Sequence, residues 1–119
     1  MATHNEFGKL GEQKAVSYLE GDGYEIMAQN YRYLHAEIDI IARKGKIVAI
    51  VEVKSRNKGF LEDISTVINP KKVRLLTMAA NQFVQERDLD LEVRFDMVKV
   101  IKRPEKTEIE HIENAFYHF

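Results

Sequence analysis

Most of what constrains this chain lies in residues 37–56, EIDIIARKGKIVAIVEVKSR. Two runs rich in Ile and Val flank the dipeptide Lys44-Gly45. β-Branched residues favour extended backbone, and Gly accepts the positive φ that a tight hairpin turn needs. The spacing predicts a β-hairpin with strands at 36–43 and 46–54. Its odd feature is charge. Glu37, Asp39, Glu52 and Lys54 sit inside runs that are otherwise apolar enough to bury.

Register decides where those charges go. With Lys44 and Gly45 as the loop, Arg43 faces Lys46, Asp39 faces Ile50, Glu37 faces Glu52 and His35 faces Lys54. Alternate residues of a strand share a face. Glu37, Asp39, Ile50, Glu52 and Lys54 then project to one side, and Ile38, Ile40, Val51 and Val53 to the other, into the core. Like charges directly opposed across two strands destabilise the pair. Three acids against one Lys call for another cation. Oxygen donors suit Mg²⁺ or Mn²⁺ rather than Zn²⁺. Such an ion polarises a phosphoryl oxygen and acidifies a bound water. Lys54 would hold that water or offset charge developing on the phosphate. A simpler reading, exposed acids paired with surface cations at a strand end, also fits, because Asp-x₁₂-Glu-x-Lys is a short spacing that recurs by chance.

The remaining segments supply the frame. Residues 6–21 have a helical stripe of Phe7, Leu10, Ala15, Tyr18 and Leu19, stopped by Gly-Asp-Gly at 21–23. Residues 24–33 suit a first strand. Residues 55–68 show no period and are expected as a loop. Asn69-Pro70 marks a helix start, and the helix runs to about Arg87 with Val73, Leu76, Ala80, Phe83 and Val84 on its apolar face. Strands at 91–102 and 107–113 complete the order α-β-β-β-α-β-β. This predicts an α/β protein with a mixed sheet flanked by helices.

Length and composition narrow the function. A chain of 119 residues fits a single domain, 1–119. The absence of Cys excludes disulfides, thiolate metal sites and a catalytic thiol. No run approaches the roughly 18 apolar residues of a membrane span, and the first residues lack a signal-peptide pattern. A cytoplasmic protein with no membrane partner is expected. Net charge is −1, yet six of the seven charged residues from Arg43 to Lys58 are basic, and Lys71, Lys72 and Arg74 follow. A basic side of this kind can hold a polyanion, although a solvated charged face is the commoner case. Ser55 and Ser65 have no His/Asp partners at a triad spacing, and no Gly-rich phosphate loop occurs. Asp96, His35 and His111 are expected in structural roles. Tyr31, Arg32 and Tyr33 are expected at the core or its rim rather than stacked on bases.

The stretches GKLGEQKAVSYLEGDGYEIMAQNYR, EIDIIA, IVEVKSR, KKVRLLTMAANQF and RFDMVKV, in that order, resemble the YraN-like family of small bacterial proteins. That family is placed in the restriction-endonuclease-like (PD-(D/E)XK) nuclease superfamily, near Holliday-junction resolvases. The resemblance covers most of residues 8–100. It implies a three-layer restriction-endonuclease-like fold. It implies metal ligands at Asp39, Glu52 and the carbonyl of Val53, and a catalytic Lys54. It implies that Glu12, on the first helix, joins the site. Two departures stand out. Gln13 follows Glu12 where resolvases tend to carry a basic residue, and Ile38 replaces the Pro of the superfamily's name.

The expectation is a Mg²⁺- or Mn²⁺-dependent DNA endonuclease, with branched DNA among its candidate substrates. Asp39, Glu52, Lys54 and Glu12 would be catalytic. Asp39, Glu52, Val53 and Glu37 would hold metal. Arg56, Lys58, Lys71, Lys72 and Arg74 would contact phosphates. The alternative is a nucleic-acid-binding or adaptor module of the same fold that does not cut. Branched-DNA resolvases are symmetric dimers, which would place a homodimer contact at the apolar residues 60–68 or at 115–119.

Overall fold

The computed structural model describes residues 4–57 and 69–115. Lys58, the stretch 60–68 and residues 116–119 lie outside them. Two helices and five strands follow in order: α1 (His4–Gly21), β1 (Glu25–Tyr33), β2 (Ala36–Lys44), β3 (Ile47–Asn57), α2 (Pro70–Glu86), β4 (Glu92–Lys102) and β5 (Thr107–Ile112). The sheet is mixed, in the order β1-β2-β3-β4-β5. β1, β2 and β3 form an antiparallel meander, α2 crosses over to place β4 parallel to β3, and β5 returns antiparallel.

β3 is the central strand. Residues Val48 to Glu52 are continuously buried, the expected pattern for a strand covered on both faces. On one face Ala15 and Leu19 of α1 pack on Ile40, Ala42, Ala49, Val51, Val98 and Val100. On the other, Val73, Leu76, Ala79, Ala80 and Phe83 of α2 pack on Ile38, Ile41, Val48, Ile50, Phe95 and Met97. Helix, sheet and helix form three layers. α1 buries the line Gly11, Ala15 and Leu19, four residues apart. Leu10, expected on the buried stripe, is 46% exposed, since it stands one residue off that line.

Both helices end in the same way. Gly23 has a φ of 93°, its N–H donates to Glu20 O, and the N–H of Tyr24 donates to Leu19 O at 2.9 Å. Asp88, at φ 51°, repeats the arrangement: its N–H donates to Gln85 O, and that of Leu89 to Val84 O. These are Schellman closures, which satisfy carbonyls that the helix leaves open. α2 starts as Asn69-Pro70 foretells: Asn69 Oδ1 accepts from the N–H of Lys72 at 2.9 Å.

The hairpin forms with a different register. Lys44 pairs with Ile47 and Ile40 with Val51, so the loop is Gly45-Lys46 rather than Lys44-Gly45. Of these two only Gly45 has positive φ, 61°, as in hairpin turns that put Gly first. Continuing this register brings Asp39, not Glu37, beside Glu52. The expected sorting of faces also changes. Ile38 packs under α2 whereas Ile40 packs under α1. The switch occurs at Asp39, where the ladder is interrupted: neither Asp39 nor Asn30, across the strand pair, has a paired partner, and Asn30 takes φ 52°. A local break of this kind re-aims side chains next to it. Ser55 to Asn57, expected in a loop, extend β3, because β4 runs on beside them to pair Asn57 with Lys102.

Candidate active site

The break at Asp39 is where the chemistry collects. Asp39 Oδ2 accepts the N–H of Val53 at 2.8 Å. The side chain thus takes the bond that a ladder carbonyl would take, and this fixes the carboxylate against β3. Glu52 is almost wholly buried, at 6% exposure. Its Oε1 lies 2.7 Å from Lys72 Nζ and 3.5 Å from Lys54 Nζ. One carboxylate oxygen is therefore shared by two ammonium groups from different elements.

Glu12 approaches from α1. Gly11, one residue earlier, is buried against Ser55 of β3. A Cβ at Gly11 would overlap the Ser55 hydroxyl and meet Ser55 Cβ at 3.0 Å. Only Gly lets the helix dock this closely, and the docking sets Glu12 at the mouth of the site. Burial raises the pKa of Glu12, and Glu37 and Glu52 raise it further, against a hydrogen bond with Asn30. Asp39 responds more strongly. Burial and then the charge of Glu52 push it up to about 7, with the Val53 N–H acting in the opposite direction. A raised pKa in a cleft marks a carboxylate whose negative charge is undercompensated.

Two depressions flank the pair. The first, about 230 Å³, is lined by Glu12, Asp39, Glu52, Val53, Lys54 and Arg56, with Gly8 and Ser55. The second, about 380 Å³, lies toward α2 and is lined by His35, Glu37, Lys71 and Lys72 over Leu75 and Leu76, among others. Asp39 and Glu52 line both.

Of the residues expected here, Asp39, Glu52, Val53, Lys54, Glu12 and Arg56 converge on the first depression, and Glu37, Lys71 and Lys72 on the second. Glu37 pairs with Arg32 at 3.1 Å. Arg74 is exposed on α2 and lines neither depression. Lys72, expected on a phosphate, sits on Glu52. No spacing in the sequence announces this contact, which joins the hairpin to a helix beyond the intervening segment.

The donor set fits a hard divalent cation. Among the described residues no three His, Cys, Asp or Glu side chains form a ready-made cluster. Mg²⁺ does not require one: it commonly takes one or two carboxylates and keeps waters and substrate phosphates as its other ligands. Two adjacent carboxylates, one of them resisting ionisation, provide that arrangement.

Other polar groups have structural roles. Asp96 is fully buried. Its oxygens accept from Arg94 Nε at 2.8 Å and Nη2 at 2.7 Å, from His111 Nε2 at 2.8 Å and from the N–H of Asn114 at 3.0 Å. Tyr24 OH accepts from Arg94 and packs edge-on against His111. Tyr31 packs edge-on against Phe83 at 5.2 Å and donates to Glu86, a rim position rather than a base platform. No described helix is long and apolar enough to cross a membrane.

A family model described as "Uncharacterised protein family UPF0102" matches residues 11–100. The chain is similar to UPF0102 proteins of Christiangramia forsetii and Flavobacterium psychrophilum, each 46% identical over 119 residues and the whole of both chains. A UPF0102 protein of Parabacteroides distasonis is 41% identical over 117 residues, 98% of this chain and 97% of the relative.

Proposed function

The chain belongs to the UPF0102 family, and from its acidic site we propose that it is a Mg²⁺- or Mn²⁺-dependent endonuclease acting on DNA, branched DNA included. One observation carries this reading. At the break in β2, Asp39 and Glu52 stand together with Lys54 on the same glutamate, at the junction of two open depressions lined by further cations. A restriction-endonuclease-like fold and a DNA partner belong to the same proposal.

Asp39 and Glu52, with the carbonyl of Val53, would hold the ion. Bound there, it supplies Lewis-acid stabilisation of a phosphoryl oxygen and a more acidic water. The chain does the rest. Val53 N–H orients Asp39. Lys54 sits where it can hold the attacking water or face the charge growing on the phosphate. Glu12, with its raised pKa, can accept a proton from that water across the first depression. Arg56, Lys71 and Lys72 line the ground where flanking phosphates would lie.

The test is cleavage of a DNA panel (duplex, single strand, flap, four-way junction) with Mg²⁺ or Mn²⁺, wild type beside Glu52→Gln and Lys54→Ala. Cutting lost in both variants, with the fold retained, supports the reading. Metal-independent junction binding without cutting, unchanged in both, would favour a binding module instead.

A further inference from the structure

Lys72 occupies a position that a bound cation would contest. Its Nζ is closer to Glu52 Oε1 than that of Lys54, 2.7 against 3.5 Å. The two lysines differ in their freedom to leave. Lys54 is 23% exposed and extends from the central strand; Lys72 is one-third exposed and stands on the first turn of α2. Its backbone is pinned by the Asn69 cap and by the buried Val73 and Leu76 beside it. The side chain alone can move, and the second depression, which also holds Lys71 and His35, opens next to it.

Resting on the metal-site reading above, we infer that Lys72 is an internal counter-cation. It neutralises Glu52 while no divalent ion is bound, gives up that oxygen when one binds, and thereby releases its ammonium to grip a nucleic-acid phosphate at the second depression. Lys54, 3.5 Å from the same oxygen, stays beside Glu52 in either state; the nearer position passes from Lys72 to the metal, so the buried carboxylate keeps two cations throughout. Binding of the metal and of the phosphate are then coupled, each strengthening the other by the same factor.

Titration calorimetry with Mn²⁺ alone, on the full chain, tests this. Lys72→Met should bind Mn²⁺ about five- to tenfold more tightly than wild type, the low end of ordinary coupling between sites. Lys72→Arg, which keeps the charge, should stay near wild type. Lys14→Met, which removes the same charge from the exposed side of α1, should also leave Mn²⁺ affinity unchanged. Equal or weaker Mn²⁺ binding by a folded Lys72→Met, or equal tightening in Lys14→Met, would overturn the proposal. Wild type needs no variant for a second measurement: reductive methylation of Lys72, followed by mass spectrometry, should speed up when Mg²⁺ is added. An unchanged or slower rate would also overturn it. Absence of Mn²⁺ binding in every form would instead remove the metal-site reading itself.

Discussion

Asp39 and Asp96 are both aspartates of inner strands, and the chain treats them in opposite ways. Asp96 is saturated. Arg94 clasps it with two bonds, and His111 and the backbone of Asn114 fill its remaining lone pairs. Burial alone would raise its pKa, yet these partners hold it below the ordinary carboxylate range. Asp39 has one N–H and acidic neighbours, and is pushed up to about 7. One carboxylate is a structural tie. The other is kept short of partners, and a group in that state has capacity left for a ligand. What distinguishes a fastening from a site here is the number of committed bonds rather than the residue type.

The largest expected effect breaks the fastening. Asp96→Asn removes the buried counter-charge of Arg94, which is only 16% exposed, and leaves it the looser pair with exposed Glu113 at 3.6 Å. Loss of one partner from a buried pair typically costs about 3–5 kcal/mol, and urea unfolding should show a loss of that size with no selective effect on metal binding.

Asp39→Asn should do the reverse: abolish metal-dependent cutting while leaving stability at neutral pH equal or higher. The sign follows from linkage. Asp39 in the fold holds a proton that the unfolded chain, at its ordinary 3.8, has released. The metal-free wild type therefore loses stability as pH rises from about 4 toward 7, and the variant lacks this decline. Asp96, with its lowered pKa, contributes stability that is present above its unfolded value of 3.8 and lost as pH falls below it. Unfolding profiles between pH 3 and 8 should separate the two contributions by their opposite slopes.

Gly11→Ala sharpens the comparison from α1. Its Cβ would strike Ser55, so the helix or the serine must shift. Overpacking of this kind costs about 1–3 kcal/mol, and the displacement of Glu12 should lower cleavage by more than the stability loss explains. The smallest change is Asn69→Ala. Losing the cap costs about 1 kcal/mol by thermal unfolding, and should loosen Lys72 and Glu52 while leaving Asp96 untouched.

Legibility in the sequence followed the range of each interaction. The seven elements could be read because hairpin, caps and periodicity are local signals: Asn69-Pro70 opens α2, and Gly-Asp-Gly closes α1. The hairpin itself was clear but its register was not, since a turn can place its Gly first or second and the apolar run tolerates both. The fault at Asn30 and Asp39 left no local mark, and with it the divergence of Ile38 and Ile40 was hidden. Asp39, Glu52 and Lys54 could be picked out because charge inside an apolar strand is conspicuous. Glu12 rested on resemblance and not on spacing. The Lys72–Glu52 contact was invisible because it joins segments far apart in the chain; the structural role of Asp96 was legible, with Arg94 two residues away, but Tyr24 and His111 reach this pair only through the tertiary fold.

The parallel pairing of β3 with β4 carries a consequence for folding. The meander β1-β2-β3 can form from neighbouring residues, but β4 must return from beyond α2 before Ile47 meets Glu92. Closing so long a loop is slow compared with forming a hairpin. Asp39 and Glu52 thus lie within one unit of neighbouring strands, whereas Lys72 reaches Glu52 only once α2 has docked. The acidic pair stands without its second lysine until α2 docks, so the meander alone does not make the complete site.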